Sequence, residues 1–169
     1  EKSLKQRNSL LKQIREGITN TASLNIWDEK ISTLGSLITV DRLNLFEALQ
    51  ETILKEITRL GEKPDSAEFK YIRKTTGSDA SQIRSELIEQ LAFNRERDII
   101  IANTTTGPHR DDWILEIDKR DLSTFASRGQ QRASLLALLL LQASFLEERK
   151  REKPVLLLDD IFSEFDEKH

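Results

Sequence analysis

The chain has 169 residues, 37% of them hydrophobic and 33% charged, with a formal net charge of −3. This is enough apolar material for one ordinary domain or two small ones, and the slightly acidic balance confines any nucleic-acid contact to a local patch. The absence of cysteine excludes disulfides and thiolate metal sites, and no apolar run reaches the roughly 18 residues of a membrane span.

There is no signal-like start, and the chain reads as soluble, intracellular and cytoplasmic. It opens without Met on a charged helical pattern and stops at "DEKH" just after a strand-like run, so it reads as a fragment. In the first element, "EKSLKQRNSLLKQIREG", Leu4, Leu11 and Ile14, with Leu10 beside them, form an apolar stripe that Gly17 can end. Lys2, Lys5, Arg7, Lys12 and Arg15 face Glu1 alone over residues 1–15. Such a patch is able to touch phosphates, where each contact adds affinity that salt erodes; a solvated helix face is the plainer reading. A second helix is predicted from about Ser23 to Leu60, with Trp27, Ile31, Leu34, Ile38, Phe46, Leu49, Ile53 and Ile57 at spacings that make one dry face. It would be roughly 55 Å long, with Gly35 as a point of kinking or breakage and Gly61 and Pro64 as its stop.

"EFKYIRK" alternates and predicts a short strand. Ser78 is then the expected N-cap of a helix reaching about Asn94, with Ile83, Leu87 and Leu91 on one face. Residues 1–97 are therefore expected to be mainly helical, an antiparallel arm or small bundle. From Asp98 the texture changes. "DIII" is strand-like, "ANTTTGPHRDD" a polar loop, "WILEID" a half-buried strand, "KRD" a tight turn, and "LSTF" a segment that pairs back. A helix over residues 130–150 follows. The run Val155 to Leu158 has the pattern of a strand buried on both faces. The predicted fold class is α+β, mainly α.

Two stretches carry chemistry. "VLLLDD" places two carboxylates at the carboxyl end of a buried strand, where open α/β sheets hold ligands; the plainer reading is a strand leaving the core through two solvated aspartates. In "ASRGQQR", Ser127 is a plausible N-cap, Gly129 removes a side chain where something must come close, and the helix presents its positive dipole end. Those features suit an anion, although a serine cap ahead of an apolar helix is also ordinary structure.

Their combination is more specific. A signature-like helix start, an acid-ended apolar strand and then "SEFD" follow the order of the second half of an ATP-binding-cassette ATPase head. Ala126, Arg128 and Phe165 depart from the transporter pattern. The chain more closely resembles the RecF family of bacterial DNA replication and repair proteins, in the cassette-like SMC/Rad50 group. "LKQRNSLLK", "IWDEKISTLG", "TGPHRDDW", "SRGQQR" and "LLLDDIFSEFD" carry that resemblance over nearly the whole length.

The resemblance implies roles residue by residue. Ser127, Gly129 and Gln130, with Arg128 among them, match the signature that contacts the γ-phosphate of ATP bound by the opposite subunit. Asp159 matches the Mg²⁺-associated Walker B acid, and Asp160 stands where many relatives have the catalytic Glu, which suits slow hydrolysis. Ser163 and Asp166 match the loop crossing the dimer interface. Gly107 to Asp112 match a family loop whose role the residues do not reveal, His109 and Arg110 being expected to fix a turn. Residues 1–97 would be the helical arm and 98–169 part of the head, carrying signature motif and Walker B. None of the six glycines begins a G-x-x-x-x-G-K-[ST] loop, so this chain is expected to hold half of a composite site and to bind no ATP tightly. The intact protein is expected to be a slow ATPase that uses ATP and Mg²⁺, dimerises with ATP, binds duplex DNA at gaps or junctions, and works with RecO and RecR to load RecA. The alternatives are another SMC/Rad50-like or OLD-like repair ATPase, or a non-catalytic helical interaction module.

Overall fold

Lys2–Arg15 form helix α1, which Gly17 ends in the left-handed conformation, φ +73°, returning its amide to Ile14 and that of Ile18 to Gln13. The chain, a computed structural model that describes residues 1–158, continues as α2 (Leu24–Arg59), β1 (Ala67–Ile72), α3 (Ala80–Phe93), α4 (Arg95–Ile101), β2 (Asp112–Ile117), β3 (Arg120–Asp121), α5 (Leu122–Phe125) and α6 (Arg128–Lys150). It is mainly helical, with a small antiparallel three-stranded sheet. No described helix is long and apolar enough to cross a membrane. Two compact units interleave along the sequence: Glu1–Asn44 with Ile72–Asp112, and Leu45–Tyr71 with Trp113–His169.

In the first unit the buried apolar residues are Leu11 of α1, Leu24 and Ile31 of α2, and Ile83, Leu87 and Leu91 of α3. The last three are those the sequence spacing selected. The N-cap of α3 is Asp79 rather than Ser78; its carboxylate accepts from the amides of Ser81 and Gln82, while Ser78 donates its own amide to Gln82. Gly35 neither kinks nor breaks α2, which runs through it. A Cβ at this position would lie 3.0 Å from Leu87 Cδ1 and 3.2 Å from Pro108 Cδ, so the glycine lets a second helix and a loop close on α2. "DIII", expected as a strand, is helical. Its β-branched residues favour a strand only where a neighbour pairs with them; here Asp98 donates its amide to Asn94 O, Ile100 and Ile101 stay exposed, and α4 ends at Ala102 with φ 50°.

In the second unit the sheet order is β1-β2-β3, with Glu116 opposite Asp121 and Ile117 opposite Arg120. The turn between β2 and β3 is Asp118-Lys119, with φ 50° and 63°, the left-handed pair that a two-residue hairpin requires. The Asp118 carboxylate accepts from the amides of Asp65 and Ser66 and ties the turn to the start of β1. Ile53, Ile57, Ala67, Leu115, Ala137 and Leu141 make the core. Beside it Phe46 packs its ring against Phe69, Tyr71 and Trp113. The outer edge of β1 is closed by one side chain: Gln50 donates to Ala67 O and accepts from Phe69 N, reproducing the pair of bonds a neighbouring strand would make.

Two expectations in this unit fail. "LSTF" coils into α5 instead of pairing back, because Asp121 caps it through the Ser123 amide and hydroxyl. Val155 to Leu158 form no strand, and Val155 and Leu157 are 84% and 92% exposed. A strand buried on both faces needs partners on both edges, and among the described residues none lies beside this run.

Candidate functional site

The first site is the start of α6, in the second unit. Ser127 is its N-cap, as the sequence indicated. The hydroxyl accepts from Gln130 N at 3.2 Å and the Gln130 side chain accepts from Ser127 N at 3.0 Å, a reciprocal capping box that fixes the helix mouth. Arg128 is exposed there. Gly129 is helical, and among the described residues, its own helix backbone and chain neighbours aside, a Cβ built on it would have only Ser127 Oγ within 4 Å, at 3.9 Å. Nothing among the described residues therefore requires glycine, which costs a helix up to about 1 kcal/mol relative to alanine. The bare backbone faces outward beside free first-turn amides, an arrangement that suits a close-approaching anion. Below it, Ala133, Ser134, Leu136, Ala137 and Leu141 are buried and anchor the helix.

The second feature, in the first unit, was not read from the sequence. Arg7 is fully buried. It donates to Asp28 at 2.7 Å, to Asp98 at 2.7 Å and to the Thr104 hydroxyl at 2.9 Å. Arg95 joins from α4, donating to the other oxygen of Asp28 at 2.7 Å, and Thr105 donates its amide and hydroxyl to Asp98. Two guanidiniums and two carboxylates balance, which is the condition for burying such charges. Asn8, next to Arg7, accepts from the Thr104 amide and hydroxyl. Arg7 is thus unavailable to phosphates, and the basic patch expected on α1 shrinks to its outer lysines and Arg15. The signal was present: Arg7 stands three residues from Leu4 and four from Leu11, on the apolar stripe itself. Asp28 likewise lies four residues after buried Leu24.

This network holds the loop Gly107–Asp112. Thr104 O accepts from His109 Nε2 at 3.1 Å and from Arg110 Nε and Nη2 at 3.1 and 3.0 Å, the two residues expected to fix the turn. Arg42 donates to Pro108 O. Gly107 has φ +126°, and its missing Cβ leaves room for the His109 ring, 3.2 Å away. Partial burial of that ring, aided by the adjacent Arg110 charge and opposed by the Thr104 carbonyl, lowers the His109 pKa below its ordinary 6.5. Three stretches distant in sequence, "KQRN", "WDEK" and "GPHR", therefore meet in one place.

Asp159, Asp160, Ser163 and Asp166 lie outside the described residues, so the structure brings Ser127 to Gln130 together but says nothing of these four. Among the described residues no group of three or more acidic or histidine side chains is arranged to hold a metal ion.

No protein-family model matches the chain. Among curated proteins it is similar to the DNA replication and repair protein RecF of Clostridium novyi (strain NT), 37% identical over 168 residues, covering 98% of this chain and 44% of that one. It is also similar to RecF of Acetivibrio thermocellus, 38% identical over 168 residues, 98% of this chain and 46% of that one. A solved structure of the recombination mediator protein RecF with ATP, in the RecFOR pathway, superposes with a TM-score of 0.85 at 36% identity, covering 98% of this chain and 45% of that one. The chain spans rather less than half the length of the curated relatives it matches. In sequence and in fold alike, this chain resembles one part of the longer RecF proteins.

Proposed function

We propose that the intact protein containing this chain is a slow, cassette-type ATPase of DNA repair that dimerises around ATP. In this reading Ser127, Arg128, Gly129 and Gln130 contact the γ-phosphate of a nucleotide held by a partner copy. Asp159 takes the Mg²⁺-associated position, Asp160 orients the attacking water, and Ser163 and Asp166 cross the dimer interface. Residues 1–97 serve as the arm and 98–169 as part of the head. The protein acts on duplex DNA at gaps or junctions, with RecR and RecO as partners and RecA loading as the outcome. The observation that carries the reading is Gly129, a helical glycine with no neighbour among the described residues to require it, set in a helix mouth held by its capping box. Preorganised amides of this kind stabilise phosphate charge without reorganising as it develops.

The test uses the full-length protein. Ser127→Arg places a bulky cation at the helix mouth and removes one capping acceptor; it is expected to abolish ATP-dependent dimerisation while leaving ATP binding to the monomer intact. Asp160→Asn is expected to preserve dimerisation and stop hydrolysis. Survival of both dimerisation and hydrolysis in both variants would sink the ATPase reading and favour a non-catalytic interaction module.

A further inference from the structure

Two neighbouring glutamines stand at the start of α6, and their side chains meet different partners. Gln130 closes the capping box with Ser127, a bond between residues of the same helix mouth. A cap of this kind fixes where a helix begins and leaves open where the helix stands. Gln131, half-buried, reaches out of the helix instead. Its side-chain NH₂ donates to Leu122 O and to Ser123 O, each at 3.3 Å, and an amide NH₂ carries one hydrogen for each. Both carbonyls belong to α5, which has four residues. Every carbonyl of so short a helix lies in its last turn, where intrahelical donors run out. From its other side α5 is fixed to the hairpin and the core. Asp121 pairs with Glu116 across β2 and β3 and accepts from the Ser123 amide and hydroxyl, while Leu122 packs against the core cluster.

We propose that Gln131 is a positioning residue for the nucleotide contact, setting where the mouth of α6 stands against the β2–β3 hairpin. The inference rests on the reading of that mouth as the contact for a partner's γ-phosphate; Gln131 acts on it through Ser127 and Gly129. The reason is geometric. Two extended residues, Ala126 and Ser127, join α5 to α6, and rotation about such a joint swings the helix mouth as a body. Hydrogen bonds to a phosphate weaken steeply with misplacement, so a mouth that binds one needs its place fixed as well as its shape. Gln131 spans the joint directly and ties the first turn of α6 to both α5 carbonyls. Methionine or leucine would suit the helix at this position equally well, so the two acceptors account for the amide.

The full-length protein tests this with two variants. Gln131→Met keeps the length of the side chain and removes its donor. It is expected to raise the dissociation constant of the ATP-bound dimer about tenfold, from two contacts each weakened about threefold, the scale of one neutral hydrogen bond. ATP affinity of the monomer is expected to be unchanged. Gln131→Lys returns a donor to the two carbonyls and is expected to recover most of the loss, measured against the original protein in the same high salt, where attraction between the new charge and a phosphate is screened. The proposal is overturned if Gln131→Met dimerises like the original, if it also loses ATP binding in the monomer, which would be a folding effect, or if Gln131→Lys recovers nothing. Ser127→Arg, run beside them, separates the two readings. If it dimerises normally, the nucleotide contact itself is wrong and this inference falls with it. If it fails to dimerise while Gln131→Met dimerises normally, the positioning role alone is lost.

Discussion

Arg7 keeps its charge in a buried place because Asp28 meets its Nε while Asp98 and Thr104 meet its Nη1. Removing it leaves Asp98 without a cation and Asp28 with Arg95 alone. Arg7→Met is expected to lower stability by about 3–5 kcal/mol, read as a drop in the urea midpoint. Replacing Arg7 and Asp98 together by apolar residues of similar size is expected to recover much of that loss, because Asp28 then keeps its pair with Arg95 and no carboxylate of the network is left alone. His109 responds to pH instead. Its pKa is lower in the folded chain than in the unfolded one, so below about 6.5 the unfolded state takes up the proton first. Stability is expected to be full above that pH and to decline as pH falls through the window beneath it. His109→Gln, which keeps a donor for Thr104 O, is expected to flatten that part of the profile. An unchanged slope between pH 7 and pH 5 would show that another group titrates there.

Between elements, two glycines in helices make opposite predictions. Gly35 faces Leu87 and Pro108 at 3.0 and 3.2 Å, so Gly35→Val is expected to cost about 1–3 kcal/mol in overpacking. Gly129 faces open space; Gly129→Ala is expected to raise thermal stability slightly, by up to about 1 kcal/mol, while weakening ATP-dependent dimerisation of the intact protein. The same contrast shows what a sequence can convey. The spacing of three and four located α2, α3 and α6 and selected Ile83, Leu87 and Leu91, since a helix buries a stripe and the stripe is written in its residue types. It misread "DIII", because three consecutive isoleucines suit a strand and only the pull of Asp98 into the ion network shows otherwise. It treated Arg7 as a surface cation because composition was weighed before position. A charge standing on an apolar stripe is itself a signal that a buried partner exists, but the identity of Asp98, 91 residues away, is set by the tertiary fold. At the α6 start, Ser127 and Gln130 were legible as a cap. The freedom of Gly129 became visible only with neighbours in place.

On the scale of the whole chain, β1 presents the sheet edge that matters for solubility. Gln50 occupies it with two hydrogen bonds, and unpaired edges invite pairing with other chains. Gln50→Leu is expected to lower stability by about 1–3 kcal/mol through the orphaned Phe69 amide and Ala67 carbonyl, and to raise self-association in light scattering. A monodisperse Gln50→Leu chain of unchanged stability would show that water replaces the glutamine without penalty. The two compact units are each built from two separated stretches of sequence, so no single cut yields both intact. Residues 72–112 complete the packing that residues 1–44 begin.

That interleaving imposes a schedule on synthesis. Arg7 leaves the ribosome before Asp98, which follows 91 residues later. At the usual 5–20 residues per second, the arginine waits on the order of 5–20 seconds for its second carboxylate. Until then α1 is a short amphipathic helix with a cation on its apolar stripe, unable to bury that face. The charge that locks the finished unit therefore also delays its closure until the last of its parts has been made.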